Sequence, residues 1–354
     1  MPLFEVKQHD IEFYRKFIKN FIPDEIIDIH THLWEKKKSA SVLSPSPDQR
    51  TVTWPSRVAE YNTAEHLSQT YKLLFPDKKV IPLVFSNVPN EGEEDKLNCY
   101  VSKSAKRMRW PALIFSDPNW SGEELEYRIK KGGFIGAKSY LTLAPKYLPK
   151  NEIRIYDFFP PSHLSVLNKH GWIAMVHIPR DNRLKDSVNL AQLLEIDRCY
   201  NKIKLIVAHV GRAYCNSDAG DAFNKLAETR NIMFDFSANT NAWIFERLIK
   251  TVGPRRILFG SDMPITRMRM KRITHGKRYI NLVPKGLYGD VSGDKNMAEV
   301  SGEEAEKLTF FIYEEIYAFL RAAKKSKLDG NDLKNIFFEN AKRIINSASF
   351  ENII

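Results

Sequence analysis

The sequence predicts an α/β protein, a (β/α)8 TIM barrel with loop insertions after strands 1 and 8, and three observations carry that prediction. Eight short apolar, β-branched runs recur along the chain, each followed by a helix-like stretch or a polar loop, an alternation that builds a parallel sheet. Their mean spacing is roughly thirty residues, the share of each unit when a barrel of about 250 residues is divided among eight. Polar residues also end several of these runs, where packing alone would place none.

The runs, in order, are 26–32, 79–86, 111–116, 134–141, 172–178, 204–210, 232–237 and 256–262. Between them, 63–75 and 189–200 carry apolar residues at helical spacing and would join an outer ring of helices. Three regions fall outside the repeat: an amphipathic stretch to about Phe21, an insertion from Glu35 to Tyr61 rich in Ser, Pro and Lys, and the segment Pro264 to Ser301. Loops after strands emerge at the carboxyl face of a barrel, so the last two should overhang whatever site is built there. A long helix from about Gly302 to Ala323 and a capped helix beginning near Asp332 would complete the chain.

With 354 residues, 43% of them hydrophobic, the chain can bury one large core, and residues 1–354 read as a single domain whose barrel spans about 25–346. The longest apolar run, around Lys204–Val210, is too short to cross a bilayer, and the first ten residues hold no signal-peptide core. The expectation is a soluble cytoplasmic protein. Cys99, Cys199 and Cys215 are far apart and odd in number, so they read as reduced thiols. A net charge of +11 suits nucleic acid or an anionic small molecule. Nucleic acid would want basic residues interleaved with exposed aromatics, a pattern not found here.

In Ile26-Ile-Asp-Ile-His-Thr-His32, strand periodicity puts Asp28, His30 and His32 on one face and lets two imidazoles converge. The pair is either a metal chelate or two histidines bonded to nearby backbone. His177, His209 and Asp262 end the runs of strands five, six and eight. Imidazole nitrogens and a carboxylate at one mouth are ligands for a divalent ion, zinc first, with manganese, iron or cobalt as alternatives. Asp262 also has a structural reading, as a helix N-cap before Pro264.

Asp28-Ile-His-Thr-His32, Gly133-Phe-Ile-Gly-Ala-Lys138, His177, His209-Val-Gly-Arg212, Leu258-Phe-Gly-Ser-Asp-Met-Pro264 and Ile336-Phe-Phe-Glu-Asn-Ala-Lys-Arg343 together resemble the amidohydrolase superfamily. The likeness is to its "amidohydrolase family 2" branch of hydrolases, decarboxylases, hydratases and lactonases, and it runs from about Glu25 to Ile345. The resemblance implies one divalent metal near His30, His32, His177 and Asp262, and a catalytic imidazole at His209. A bound water would then pass its proton to Asp262 while His209 steadied developing negative charge.

Lys138 shares a strand face with Gly136 and Tyr140 and should point into the barrel. It would bind a substrate carboxylate, bridge two metals as a carbamate, or form an ion pair with a neighbour such as Asp28. Arg180 and Arg212 follow strands five and six, as substrate forks or as solvated surface. The basic run Arg267-Met-Arg-Met-Lys-Arg272 binds an anion or is a solvated loop, and Trp34 lines the pocket wall. The functional expectation is a metal-dependent hydrolase of an amide, ester or lactone in a small anionic substrate. Its rivals are a metal-dependent decarboxylase and a non-catalytic binding protein. Exposed outer helices would suit a homodimer.

Overall fold

Strand β1, Glu25–Leu33, is buried along all but its first residue, as an apolar run at the centre of a closed sheet must be. A computed structural model describes residues 3–35, 50, 55–89 and 92–349. The remaining barrel strands are β2 (Lys79–Ser86), β3 (Ile114–Phe115), β4 (Gly136–Ser139), β5 (Ile173–Val176), β6 (Lys204–Val207), β7 (Met233–Asp235) and β8 (Ile257–Leu258). β1 pairs with β2, and β3 to β8 pair consecutively, all in parallel.

Two seams close the ring. β2 meets β3 through Val84 N to Pro111 O and Leu113 N to Val84 O, each 3.0 Å. β8 meets β1 through Ile29 N to Phe259 O at 3.0 Å, Asp262 N to His30 O at 2.8 Å and His32 N to Met263 O at 2.9 Å. The fold is therefore the predicted barrel. Gly136 lets β4 approach β5, since a Cβ there would lie 2.1 Å from the Ile173 carbonyl oxygen.

Every strand read from the sequence is present, and most end earlier than their apolar runs. The residues beyond each ladder, His177, His209 and Asp262 among them, turn out of it to build the site. Loop-to-helix junctions carry their own caps: Thr63 accepts from His66 N, Ser121 from Glu124 N, Asp186 from Val188 N and Asn189 N, and Asn241 from Ile244 N. The amphipathic start becomes the helix Gln8–Phe17.

The long helix expected from Gly302 is interrupted. Gly302–Glu306 and Phe311–Lys325 are separate helices, because the segment between them runs extended beside the chain that leaves β8: Met270 N bonds Thr309 O and Phe311 N bonds Met268 O. The final helix starts a little earlier than read, with Asp329 accepting from Asp332 N.

Much of the Glu35–Tyr61 insertion lies outside the described residues. The segment from Pro264 to Ser301 forms a ribbon of three strands, β9 (Lys271–His275), β10 (Arg278–Pro284) and β11 (Met297–Val300), in the order β11-β10-β9. Arg269 fastens its root to the first helix with a buried ion pair to Asp10 (Nη2 to Oδ2, 2.6 Å), and Thr309 adds a hydrogen bond to Asp10 at 2.8 Å. Among the described residues no helix is long and apolar enough to cross a membrane, and all three cysteines are free.

Candidate metal centre and its cavity

At the carboxyl ends of the strands lies a cavity of about 1110 Å³, lined by His30, His32, Lys138, His177, His209 and Asp262 among others. β1 delivers the two histidines of the pair. A register shift between Asp28 and Thr31 bulges the strand and separates Asp28 from them. Asp28 instead accepts from Tyr71 Oη (2.7 Å), Ser261 N (2.8 Å) and His30 N (3.2 Å), a structural knot in which burial pushes its carboxyl up to about 7.

The imidazoles are oriented by what holds their far nitrogens. His30 Nδ1 donates to Asp235 Oδ2 at 2.9 Å, and His32 Nδ1 donates to the Ser86 carbonyl at 2.9 Å. Each therefore presents the lone pair of Nε2 to the cavity. These two nitrogens lie 3.5 Å and 3.2 Å from Asp262 Oδ1, so three lone-pair atoms converge on one point. His30, His32 and Asp262 make one group able to hold a metal ion, and His30, His209 and Asp235 make another. The backbone bond of His32 and its ligand-like aim coexist, because the first uses Nδ1 and the second Nε2.

Asp262 is not a helix cap; its carboxylate faces the histidines and burial pushes its pKa up to about 6. Its backbone has a φ of 62°, a left-handed conformation for a residue with a side chain, held by the Asp262 N to His30 O bond. Gly260 clears the space behind: a Cβ there would lie 2.9 Å from His30 Cβ.

His209 opens a turn in which His209, Val210, Gly211 and Arg212 all have positive φ. Asp235 Oδ1 pins its amide at 2.9 Å, while Ser237 Oγ donates to Asp235 Oδ1 at 2.5 Å and accepts from His209 Nδ1 at 2.8 Å. His209 thus carries its proton on Nδ1 and turns the Nε2 lone pair outward, and burial lowers its pKa to about 4. A neutral imidazole in this tautomer accepts a proton or hydrogen bond at Nε2, where steadying negative charge would need a donor.

His177 lines the same cavity, with its ring centroid 5.4 Å from that of His209 and 4.6 Å from that of Tyr140. Its buried Nδ1 has no hydrogen-bond partner among the described residues, which leaves that nitrogen uncommitted within the protein. Orphaned imidazole nitrogen and converging Nε2 and carboxylate lone pairs fit a divalent cation.

Lys138 Nζ lies 2.7 Å from His30 Nε2 and 3.9 Å from the centroid of the Phe85 ring. Burial brings its pKa down to about 7, and no ion pair with Asp28 forms. Trp34 lines the cavity, with its indole N–H on the Glu60 carbonyl at 2.9 Å. Arg212 also lines it, but its Nη1 is engaged by the carbonyls of Ile178, Pro179 and Arg180. Arg180 does not line it; its donors serve the Ile153 and Glu152 carbonyls.

Asp235 escaped the sequence reading, although it ends the apolar strand β7 by the same signal that singled out His177, His209 and Asp262. Ser237 and Arg272 gave weaker signals. A serine after a strand reads as a turn, and Arg272 was one cation in a basic run.

A parallel eight-stranded barrel with histidines from β1, β5 and β6 and a carboxylate from β8 at one mouth defines the class of barrel metalloenzyme folds. The chain belongs to the amidohydrolase family, whose model matches residues 27–275. No curated protein matches it. Solved structures of similar fold include an amidohydrolase from Burkholderia multivorans with bound zinc, at 11% identity over 90% of this chain and 98% of that one, TM-score 0.57. A 2,6-dihydroxybenzoate decarboxylase from Rhizobium follows at 13% identity over 92% and 99%, TM-score 0.53. A dihydroxybenzoic acid decarboxylase from Polaromonas with bound manganese and the inhibitor 2-nitroresorcinol has 14% identity over 92% and 97%, TM-score 0.54. At such identities the likeness is one of fold.

Proposed function

We propose that the chain is a metal-dependent hydrolase acting on an amide, ester or lactone of a small carboxylated molecule. The observation that carries the reading is the convergence of His30 Nε2, His32 Nε2 and Asp262 Oδ1 at the floor of the cavity. His177 would complete the ligand set. A divalent ion, zinc first and manganese, iron or cobalt after it, supplies positive charge that acidifies a water and polarises a substrate oxygen when bound.

The protein's own groups do the rest. Asp262, with a pKa raised by burial to about 6, is ionised at neutral pH yet more basic than an ordinary carboxylate, so it takes the proton of the attacking water. Lys138 is the donor nearest to that point and meets the carboxylate or the developing oxyanion. His209 accepts a hydrogen bond at Nε2 and orients the nucleophile or a substrate hydroxyl.

A second reading, decarboxylation, is favoured by that same raised pKa, since a carboxyl that protonates near neutrality can hand a proton to a carbanion. Two measurements test the pair. Metal content by mass spectrometry on protein without a polyhistidine tag should give about one ion per chain, lost in His177→Ala; a metal-free protein after reconstitution with zinc and manganese refutes both readings. Screening esters, lactones, N-acyl amino acids and hydroxybenzoic acids, with oxygen-18 water and with deuterium oxide, then separates them. Hydrolysis places oxygen-18 in the product acid, and decarboxylation places deuterium on carbon.

A further inference from the structure

Arg272 occupies an unusual place for a cation. It rises from β9, and its guanidinium carbon lies 4.3 Å from the centroid of the Tyr279 ring, 5.0 Å from Tyr214 and 4.6 Å from Phe311. Nε donates to Asn281 Oδ1 at 2.8 Å and Nη1 to the Ala238 carbonyl at 2.7 Å. Among the described residues Nη2 makes no hydrogen bond and no carboxylate pairs with the group. Burial lowers its pKa, a sign that the charge is held without a countercharge of its own.

The other guanidinium groups of the cavity are engaged. Arg183 pairs with Asp218 at 2.6 Å. Arg212 spends Nη1 on three carbonyls and holds Nη2 3.6 Å from Asp181. Arg50 spends both Nη atoms on carbonyls, including that of Ala144 at 2.6 Å. Among the described residues Arg272 is thus the guanidinium of this cavity that combines an Nη2 without a hydrogen bond and the lack of a carboxylate partner.

Its position gives the donor a purpose. Ala238, whose carbonyl holds Arg272, follows Ser237, whose Oγ is 2.8 Å from His209 Nδ1. Ala238 is itself fixed from behind by Glu315 Oε2 at 2.6 Å from its amide. The fork therefore stands on the wall next to the catalytic imidazole, within the cavity of about 1110 Å³ that the metal-site residues share.

We propose that Arg272 is the anchor for a second carboxylate, so that the substrate is a small dicarboxylate with one acid group toward the metal-site floor and the other on this fork. The remaining Nη2 can give a charge-assisted hydrogen bond to a carboxylate, and the guanidinium carbon lies 4.3 Å from the centroid of the Tyr279 ring that walls it. This deepens the reading of a carboxylated substrate and rests on it only for the position of the first acid group.

The test is calorimetric binding of isophthalate and benzoate to the protein as purified. Isophthalate should bind about 10- to 100-fold tighter than benzoate, the span expected for one charge-assisted contact. Arg272→Met should erase that preference and leave benzoate affinity unchanged. Because Arg272→Met can perturb folding, Asn281→Asp provides a second route: it gives Arg272 a carboxylate partner within the chain, so the preference should vanish in a protein at least as heat-stable. His30→Ala separates this proposal from the metal reading, since the preference should survive there even if metal and activity do not. Equal affinities for the two acids in the unmodified protein, or a preference that persists in both Arg272→Met and Asn281→Asp, overturns the proposal.

Discussion

His30, His32 and His209 each give up Nδ1 to a fixed oxygen, and that single habit aims all three Nε2 atoms into the cavity. Asp235 orients two of them. Asp235→Asn replaces an acceptor oxygen with a donor beside His30 Nδ1, and metal affinity measured by competition with a chelator should fall about 10- to 100-fold, as for lost partners of metal-bound histidines. The proton on Asp262 makes a pH prediction. Its pKa rises from 3.8 to about 6 in the folded chain, so protonation competes with metal below that value. Metal affinity should be flat above about pH 6 and drop roughly tenfold per unit below it, and a flat profile down to pH 4 in equilibrium dialysis would remove Asp262 from the ligand set. In metal-free protein the sign reverses for folding: Asp262 and Asp28, both raised by burial, contribute stability at low pH that is lost as pH rises through about 6 and about 7. At this scale the histidines and Asp262 were readable because a polar residue ending an apolar strand is conspicuous. The tautomer of His209 was not, because it depends on Ser237 and Asp235, which the fold brings to it from the neighbouring strand. Arg180 misled for a similar reason: the carbonyls of Glu152 and Ile153 that claim it lie on another loop.

The ribbon after β8 shows what an element hides. In sequence, Arg267 to Arg272 looks like a solvated basic loop, yet Arg269 is buried against Asp10 and Arg272 faces the cavity, while Lys271 between them is exposed. The partner of Arg269 is more than two hundred residues away in the chain, so no local pattern could announce it. Arg269→Met leaves Asp10 as an unpaired buried carboxylate and should cost about 3–5 kcal/mol, visible as a fall in the urea midpoint. Adding Asp10→Leu should restore much of the loss, because the stranded charge goes with it; a double variant as weak as the single one would show that the pair itself supplies the stability. The broken helix at Lys307 has the same origin. Its residues suit a helix, but the extended chain before β9 bonds them instead, Met270 N donating to Thr309 O and Phe311 N donating to Met268 O.

The barrel as a whole was legible because eight apolar runs at regular spacing admit few other topologies, and both seams of the ring close as that count requires. Strand ends were less so, since the apolar runs continue past the ladder into the residues that line the mouth. A site assembled from the ends of β1, β5, β6 and β8 would tie metal binding to global folding. Zinc or manganese at a hundred times its dissociation constant should raise the unfolding free energy by about 2.7 kcal/mol, read as a shift in melting temperature. His30→Ala should show no shift, and an equal shift there would place the stabilising ion elsewhere.

The metal-site groups stand on β1 or just past the ends of β5, β6 and β8, whereas Arg272 hangs from a ribbon inserted between β8 and the helix Phe311–Lys325. On the readings proposed above, chemistry and selectivity would travel on separate stretches of chain. A lineage carrying this scaffold would then exchange its diet by rewriting Pro264 to Ser301, trading one acid for another while the floor of the cavity descends unaltered from parent to offspring.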